Sequence, residues 1–259
     1  MIGFVHEGAV HGPGGDVSEL KLSPIVVPKT SDVLAGELRK RILGGALAPG
    51  FALPAERDLV AQTGLSRGSV REALRILEAE GLVSTRPGRQ GGSVARRPGD
   101  ESLAKYVGLF IHGRGISLLS LLQTREAVEP SLAALAAQNR TEEELRELVT
   151  ISERLEAAYA DTPLYLAENV NWHCAIAAAS HNELLRAFMV GISNMVYKAS
   201  AIENFATADV RQVVIKAHRR ILDAIVAKDA EAAGRRMARH LAALTAAVKA
   251  FPSAPLVLE

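Results

Sequence analysis

Gly64-Leu65-Ser66-Arg67-Gly68-Ser69-Val70-Arg71-Glu72-Ala73-Leu74 holds a break, a cap and the start of an apolar helical face. Gly64 breaks one helix and Ser66 can cap the next by accepting from a backbone N–H. Val70, Ala73, Leu74 and Leu77 then recur at helical steps, and Gly81 stops the run. Upstream, Leu53-Pro54 opens a helix through Glu56, Leu59, Val60 and Ala61, with Pro54 near its first turn. Farther upstream, Thr30 or Ser31 caps a helix whose stripe is Val33, Leu34, Leu38, Ile42 and Leu43. Gly44-Gly45 ends that helix, and Pro49-Gly50 makes a turn. Downstream, Leu82-Val83-Ser84-Thr85 and Gly91-Gly92-Ser93-Val94-Ala95 read as two short strands, with Pro87-Gly88 in the turn between them.

Two helices joined by a tight glycine-containing turn are a helix-turn-helix, whose second helix lies in the major groove of DNA. The residues at its start suit that role. Helix N–H groups attract phosphate, and arginine can pair with both acceptors of guanine. Arg67 and Arg71 are four apart and share one face, opposite Val70 and Leu74. Arg57 lies one helix earlier and could reach the same groove. Arg89 and Gln90 sit on the strand turn, where a wing would touch the adjacent groove or backbone.

Charge points the same way. The net charge of the 259 residues is only +1, but residues 29–100 carry twelve Lys/Arg against eight Asp/Glu. Residues 101–259 carry seventeen against eighteen, so the excess lies where a polyanion would bind. The single cysteine, Cys174, excludes a disulfide framework and fits a reducing cytoplasm. No run reaches the roughly 18–20 apolar residues of a membrane span. Met1 to Gly15 shows no basic start followed by an apolar block, so no signal peptide is expected.

The organisation expected is mainly α. Residues 1–28 read as a flexible tail, 29–97 as a winged helix-turn-helix of three helices and a hairpin, and 98–102 as a linker. Residues 103–250 read as an all-helical bundle, and 251–259 as a second tail. Within the bundle, Ile116 to Ala137 is apolar at helical steps with a kink expected at Pro130, and Thr141-Glu142-Glu143-Glu144 is a capping box. Helices follow from Thr162-Pro163 to near Ser180 and from about Glu183, Thr207 and Asp229.

Four polar residues stand out there: Asn169 and His173, four apart on one helix face, then His218 and His240. Three imidazoles on three helices can converge on a divalent metal and leave positions open for water or a ligand. His6, His11, His112 and His181 have no such context. Arg125 sits among Leu121, Leu122 and Val128, and a buried guanidinium needs an anionic partner. Glu129, four residues on, can supply one internally. Trp172 and Cys174 read as packing groups.

Residues 30–97 resemble the winged helix of the GntR family of bacterial regulators. The string quoted first carries the resemblance, together with Leu53-Pro54-Ala55-Glu56-Arg57-Asp58-Leu59 and Leu77-Glu78-Ala79-Glu80-Gly81-Leu82-Val83. It implies DNA contacts from Arg57, Ser66, Arg67, Ser69, Arg71 and Gly88, to which the residue reading adds Arg89. Glu56 and Glu72 are expected to orient arginines rather than touch DNA. Residues 103–250 resemble the effector domain of the FadR-type branch, through Arg125-Glu126-Ala127-Val128-Glu129-Pro130, Asn169-Val170-Asn171-Trp172-His173, His218-Arg219-Arg220-Ile221-Leu222 and His240-Leu241. That branch implies a metal, here zinc with nickel or manganese as alternatives, held by residues matching Asn169, His173, His218 and His240. Asn169 stands where the family has Asp or Asn, and a neutral amide oxygen is a poorer ligand for a dication than a carboxylate. Arg125 matches the position that clamps the carboxylate of a small organic or sugar acid. The implied protein is a homodimeric transcriptional regulator, more often a repressor, on a near-palindromic operator.

Two rivals stand beside it. A histidine metal centre could activate water for hydrolysis, although the chain has no HExxH, phosphate loop or GxSxG elbow. An architectural DNA-binding protein would have no effector at all.

Overall fold

A computed structural model describes residues 27–86, 92–202 and 206–249, without the side chains of 198–202. Gly88, Arg89 and both expected tails, apart from residues 27 and 28, lie outside the described residues. The winged domain comprises α1 (Thr30–Leu43), α2 (Glu56–Thr63), α3 (Arg67–Ala79), β1 (Val83–Arg86) and β2 (Gly92–Ala95). Leu34, Leu38 and Ile42 of α1, Leu59 of α2 and Val70, Leu74 and Leu77 of α3 form its core, closed by Leu53 and Val83. The stripe on α1 is narrower than its apolar residues suggest. Val33 and Leu43 are exposed, while Ala35 faces inward beside Leu34 and Leu38.

The two strands pair antiparallel, Val83 opposite Ala95 and Arg86 opposite Gly92. A third extended segment lies on the far side of β2. Gly50 N–H donates to the Ala95 carbonyl, Ala95 N–H to Phe51 and Leu53 N–H to Ser93. This pairing corrects the expected start of α2. Residues 51–53 are held extended, so Pro54 precedes the helix and Glu56 begins it. The cap of α1 also differs. Lys29 takes the N-cap position without a side-chain bond, and the Thr30 hydroxyl donates instead to Ser69 Oγ at 3.0 Å.

Gly64 (φ 70°) and Gly81 (φ 75°) end α2 and the turn after α3 in the left-handed conformation, which costs other residues energy and glycine little. Ser66 caps α3, accepting from Ser69 N–H at 3.1 Å.

The remainder is helical: α4 (Asp100–Gly113), α5 (Leu118–Asn139), α6 (Glu142–Ala157), a 3-10 turn (Ala158–Ala160), α7 (Thr162–Ala179), α8 (Glu183–Ile202), α9 (Ala208–Val226) and α10 (Ala230–Lys249). Asp100, Glu101 and Ser102, read from sequence as linker, form the first turn of α4, where two acids meet the positive end of the helix dipole. Arg186 of α8 donates to Asp100 at 2.6 Å and pins that start. The capping box at Thr141 and Glu144 forms with both reciprocal bonds. The helix α5 continues through Pro130. A Cβ added at Gly234 of α10 would lie 3.2 Å from the Pro130 carbonyl oxygen, so glycine there lets α10 lie close against α5. Ala133, Ala136, Trp172, Ile176, Ile221, Met237 and Leu241 form the core between α5, α7, α9 and α10. No described helix is long and apolar enough to cross a membrane.

Candidate nucleic-acid interface and buried histidine pocket

The first turn of α3 presents its polar side chains outward. Arg67 is exposed and has no ion-pair partner among the described residues. Arg71 is exposed too, but Glu56 of α2 holds it, with Nη2 donating to Oε2 at 3.0 Å. Pairs this exposed are worth under about 1 kcal/mol, so Glu56 orients Arg71 more than it stabilises the domain. Arg57 projects from α2 with 85% of its side chain exposed, beside Asp58 at 3.2 Å. Ser66 and Ser69 are engaged in the cap, their hydroxyls 2.9 Å apart, and Thr30 donates to Ser69. These serines therefore shape the helix start as well as facing outward.

The second cluster is buried. Arg125 and Glu129 lie one turn apart on α5, each 2% exposed, and Arg125 Nε donates to Glu129 Oε1. Glu129 Oε2 lies 2.5 Å from His173 Nδ1 of α7. Burial alone would raise the Glu129 carboxyl. The Arg125 charge and His173 outweigh it and hold the group ionised well below the usual carboxylate range. His218 of α9 and His240 of α10 complete the cluster, with Nε2 atoms 3.2 Å apart. Burial holds all three imidazoles neutral at pH 7. His173 and His218 are shifted below their ordinary value, and His240 is pushed down to about 3. Trp172 fixes one ring: it stacks on His218 with centroids 3.7 Å apart and an interplanar angle of 5°, and its Nε1 donates to Ser152 Oγ at 2.9 Å.

These residues fit a divalent cation. One nitrogen from each of the three rings lies within 4.8 Å of the others. Two nitrogens on a tetrahedral zinc are about 3.3 Å apart, given Zn–N bonds near 2.0–2.1 Å, close to the His218–His240 spacing. Neutral imidazoles offer lone pairs without losing a proton first. Asn169 Oδ1 is buried without a partner among the described residues. It lines a cavity of about 50 Å³ together with Arg125, His173 and His240. The other walls include Leu166, Val196, Val210, Val214 and Leu244. Arg125 Nη2 is likewise buried and unpartnered. A larger groove of about 490 Å³ between α9 and α10 shares Val210, Val214, His240 and Leu244 with the cavity, so these side chains separate the two spaces.

Arg125, Asn169, His173, His218 and His240 are thus gathered in one place. The sequence paired Arg125 with Glu129 through their four-residue spacing, but nothing local pointed Glu129 at a histidine 44 residues away. Nor did it mark Trp172 as the support of His218. Cys174 is half-buried, and burial raises its thiol.

Residues 30–91 match the family model described as bacterial regulatory proteins, gntR family, and residues 120–243 match that of the FCD domain. An L-lactate dehydrogenase operon regulatory protein from Escherichia coli strain K12 is 32% identical over 236 residues, covering 88% of this chain and 90% of the relative. The HTH-type transcriptional repressor NanR of Citrobacter rodentium strain ICC168 is 28% identical over 232 residues, covering 88% of both. The solved structure of a Streptococcus agalactiae GntR protein shares the fold with TM-score 0.63 at 24% identity, over 83% of this chain and 99% of that one. With both domain models matched in order and a relative above 30% identity along most of its length, the chain belongs to the GntR family, in the FadR-type branch that carries an FCD domain behind the winged helix, and is a transcriptional regulator.

Proposed function

We propose that this regulator binds a near-palindromic operator as a homodimer and that a short carboxylic acid, held beside a divalent metal in the helical domain, controls that binding. In the winged domain, Arg67, Arg71 and Arg57 meet base edges and phosphates, while Ser66 and Ser69 present the start of α3 to the backbone. Gly88 and Arg89 take the wing's contacts. One reading head makes few base contacts, and two on a two-fold site multiply them.

One observation carries the control half: Arg125 is buried, one edge of its guanidinium is engaged by Glu129, and Nη2 has no partner among the described residues, beside a cavity lined by histidines. A buried unsatisfied donor costs free energy that an anion in the cavity would recover. His173, His218 and His240, with Asn169, would hold the cation, zinc first and nickel or manganese as alternatives. When bound, that cation supplies a positive centre for a carboxylate or hydroxyl oxygen.

Cavity size selects among acids. A volume of about 50 Å³ admits roughly four water-sized groups at 10–15 Å³ each. That favours a short acid over a sugar acid. Leu166, Val196, Val214 and Leu244 offer no partners for the hydroxyls of a sugar acid. The name of the Escherichia coli relative carries lactate, so L-lactate is the first probe. Binding shifts the packing of α5, α7, α9 and α10, and so the spacing of the two heads, only to the extent that the acid prefers one arrangement. Loss of operator binding on acid binding, which lifts repression, is the expected sign.

The test is thermal shift and operator binding of the full chain with L-lactate, its alcohol analogue 1,2-propanediol and gluconate, each with and without chelator. Stabilisation by L-lactate alone, abolished in Arg125→Ala, supports the reading. An equal response to the alcohol analogue overturns it.

A further inference from the structure

One carboxylate joins the two halves of this pocket. Arg125, the anion-binding candidate, uses Nε on Glu129 Oε1, and His173, a metal-ligand candidate, meets Glu129 Oε2 through Nδ1 at 2.5 Å. All three side chains are buried. An ionised carboxylate has acceptors only, so the hydrogen in the contact with His173 sits on Nδ1. The other ring nitrogen, Nε2, is then the one with a free lone pair. Arg125 is fixed in the same way: with Nε committed to Glu129, Nη2 is left as a buried donor without a partner among the described residues. A pair four apart on α5 would stabilise that helix without touching α7. The bond from Glu129 to His173 goes further, because it ties the pair to the histidine cluster.

We infer that Glu129 is the positioning residue of the pocket: it holds His173 in the tautomer that ligates through Nε2 and turns Arg125 so that Nη2 is free for a carboxylate, linking cation binding to anion binding. This rests on the metal-and-acid reading of the pocket given above.

Glu129→Gln separates the two tasks. The guanidinium is charged and donates only, so the amide oxygen of the glutamine turns to Arg125. Its NH2 then faces His173 Nδ1 and donates to it, which moves the ring hydrogen to Nε2 and blocks the ligating lone pair. Removing the guanidinium as well, in Arg125→Met with Glu129→Gln, lets the amide oxygen return to His173. That double variant also leaves no unpaired buried charge, so it tests the inference even where the single variant folds poorly.

The experiment uses the full chain with ¹⁵N-labelled histidine, stripped of metal, with long-range ¹H–¹⁵N spectra to read the His173 tautomer. Zinc titration calorimetry follows. Wild type is expected as the Nδ1–H tautomer. Glu129→Gln is expected as Nε2–H with zinc affinity ten- to a hundredfold weaker, the usual range for loss of a group that orients a ligand. The double variant should regain the wild-type tautomer and most of the affinity. A wild-type Nε2–H tautomer, or zinc affinity within twofold of wild type in a folded Glu129→Gln protein, overturns the inference. Failure of wild type to bind zinc would instead remove the metal reading and leave the spectra to decide the role of Glu129.

Discussion

Arg71 and Arg125 are each held by a glutamate, in opposite surroundings. The side chains of Arg71 and Glu56 are 59% and 41% exposed, whereas those of Arg125 and Glu129 are 2% and 3% exposed. In the first pair water screens the charges, the bond is weak, and Arg71 can leave Glu56 for a phosphate or guanine at little cost. In the second, both charges have lost their water, and among the described residues their mutual contact and His173 compensate. The same residue pair therefore serves an adaptable surface in one domain and a fixed frame in the other.

Removing the glutamates should break the comparison most sharply. Glu129→Ala leaves a buried guanidinium uncompensated and should cost about 3–5 kcal/mol. Glu56→Ala should cost under about 1 kcal/mol. Urea denaturation of the full chain measures both. Similar losses would show that the burial difference has no energetic meaning.

Acid should divide the domains next. Residues 29–99 contain no histidine, whereas the pocket holds three whose folded pKa values are depressed. Below about pH 6.5 the unfolded chain takes up protons that the folded pocket refuses, so this stability is present at pH 7 and lost as pH falls. Between pH 7 and 5.5 His240, which stays neutral in the folded chain, contributes about 1.3 kcal/mol, and His173 and His218 add to the loss in the same direction. Glu129 does not enter in this window, because its carboxyl stays ionised. The metal-free helical domain should melt markedly lower at pH 5.5, with the winged domain nearly unchanged. Domain-resolved calorimetry checks it, and equal shifts in both would refute the assignment of neutral histidines.

How far these features could be read from sequence follows the same divide. Caps and stops are local, so Ser66, Gly64, Gly81 and the Thr141 box announced helix ends within a residue or so. The extended segment at 51–53 was hidden, because its partner β2 is some 40 residues away and it makes a single bridge with no alternation of its own. The α2 start moved with it. In the pocket, residue types at helical spacing brought Arg125, His173, His218 and His240 into view. The directions of their side chains depend on contacts between helices. Arg140 is similar: it bonds the carbonyls of Ile225 and Val226 at the end of α9, a partnership no local pattern signals.

Function should separate the arginines at a smaller scale. Arg67→Ala should cost operator binding about 1–3 kcal/mol, the worth of a good base contact, and relax sequence preference. The response to L-lactate should persist. Arg125→Ala should do the reverse, leaving DNA binding of the free protein intact and removing the acid response. Competition binding with operator and scrambled duplexes distinguishes them. Unchanged selectivity in Arg67→Ala would take α3 out of the groove.

The smallest effect tests whether the start of α3 serves folding, DNA or both. Ser66→Ala removes the bond from Ser69 N–H and should cost about 1 kcal/mol. Ser66→Asp keeps an acceptor there and adds a negative charge at the positive end of the helix dipole, so the fold should hold its stability or gain slightly. The same charge would face DNA phosphates and weaken operator binding, most visibly at low salt. Stability and DNA affinity should therefore move apart in Ser66→Asp and fall together in Ser66→Ala. If the aspartate bound operator as well as wild type, the cap would be structural alone and α3 would approach DNA from another face.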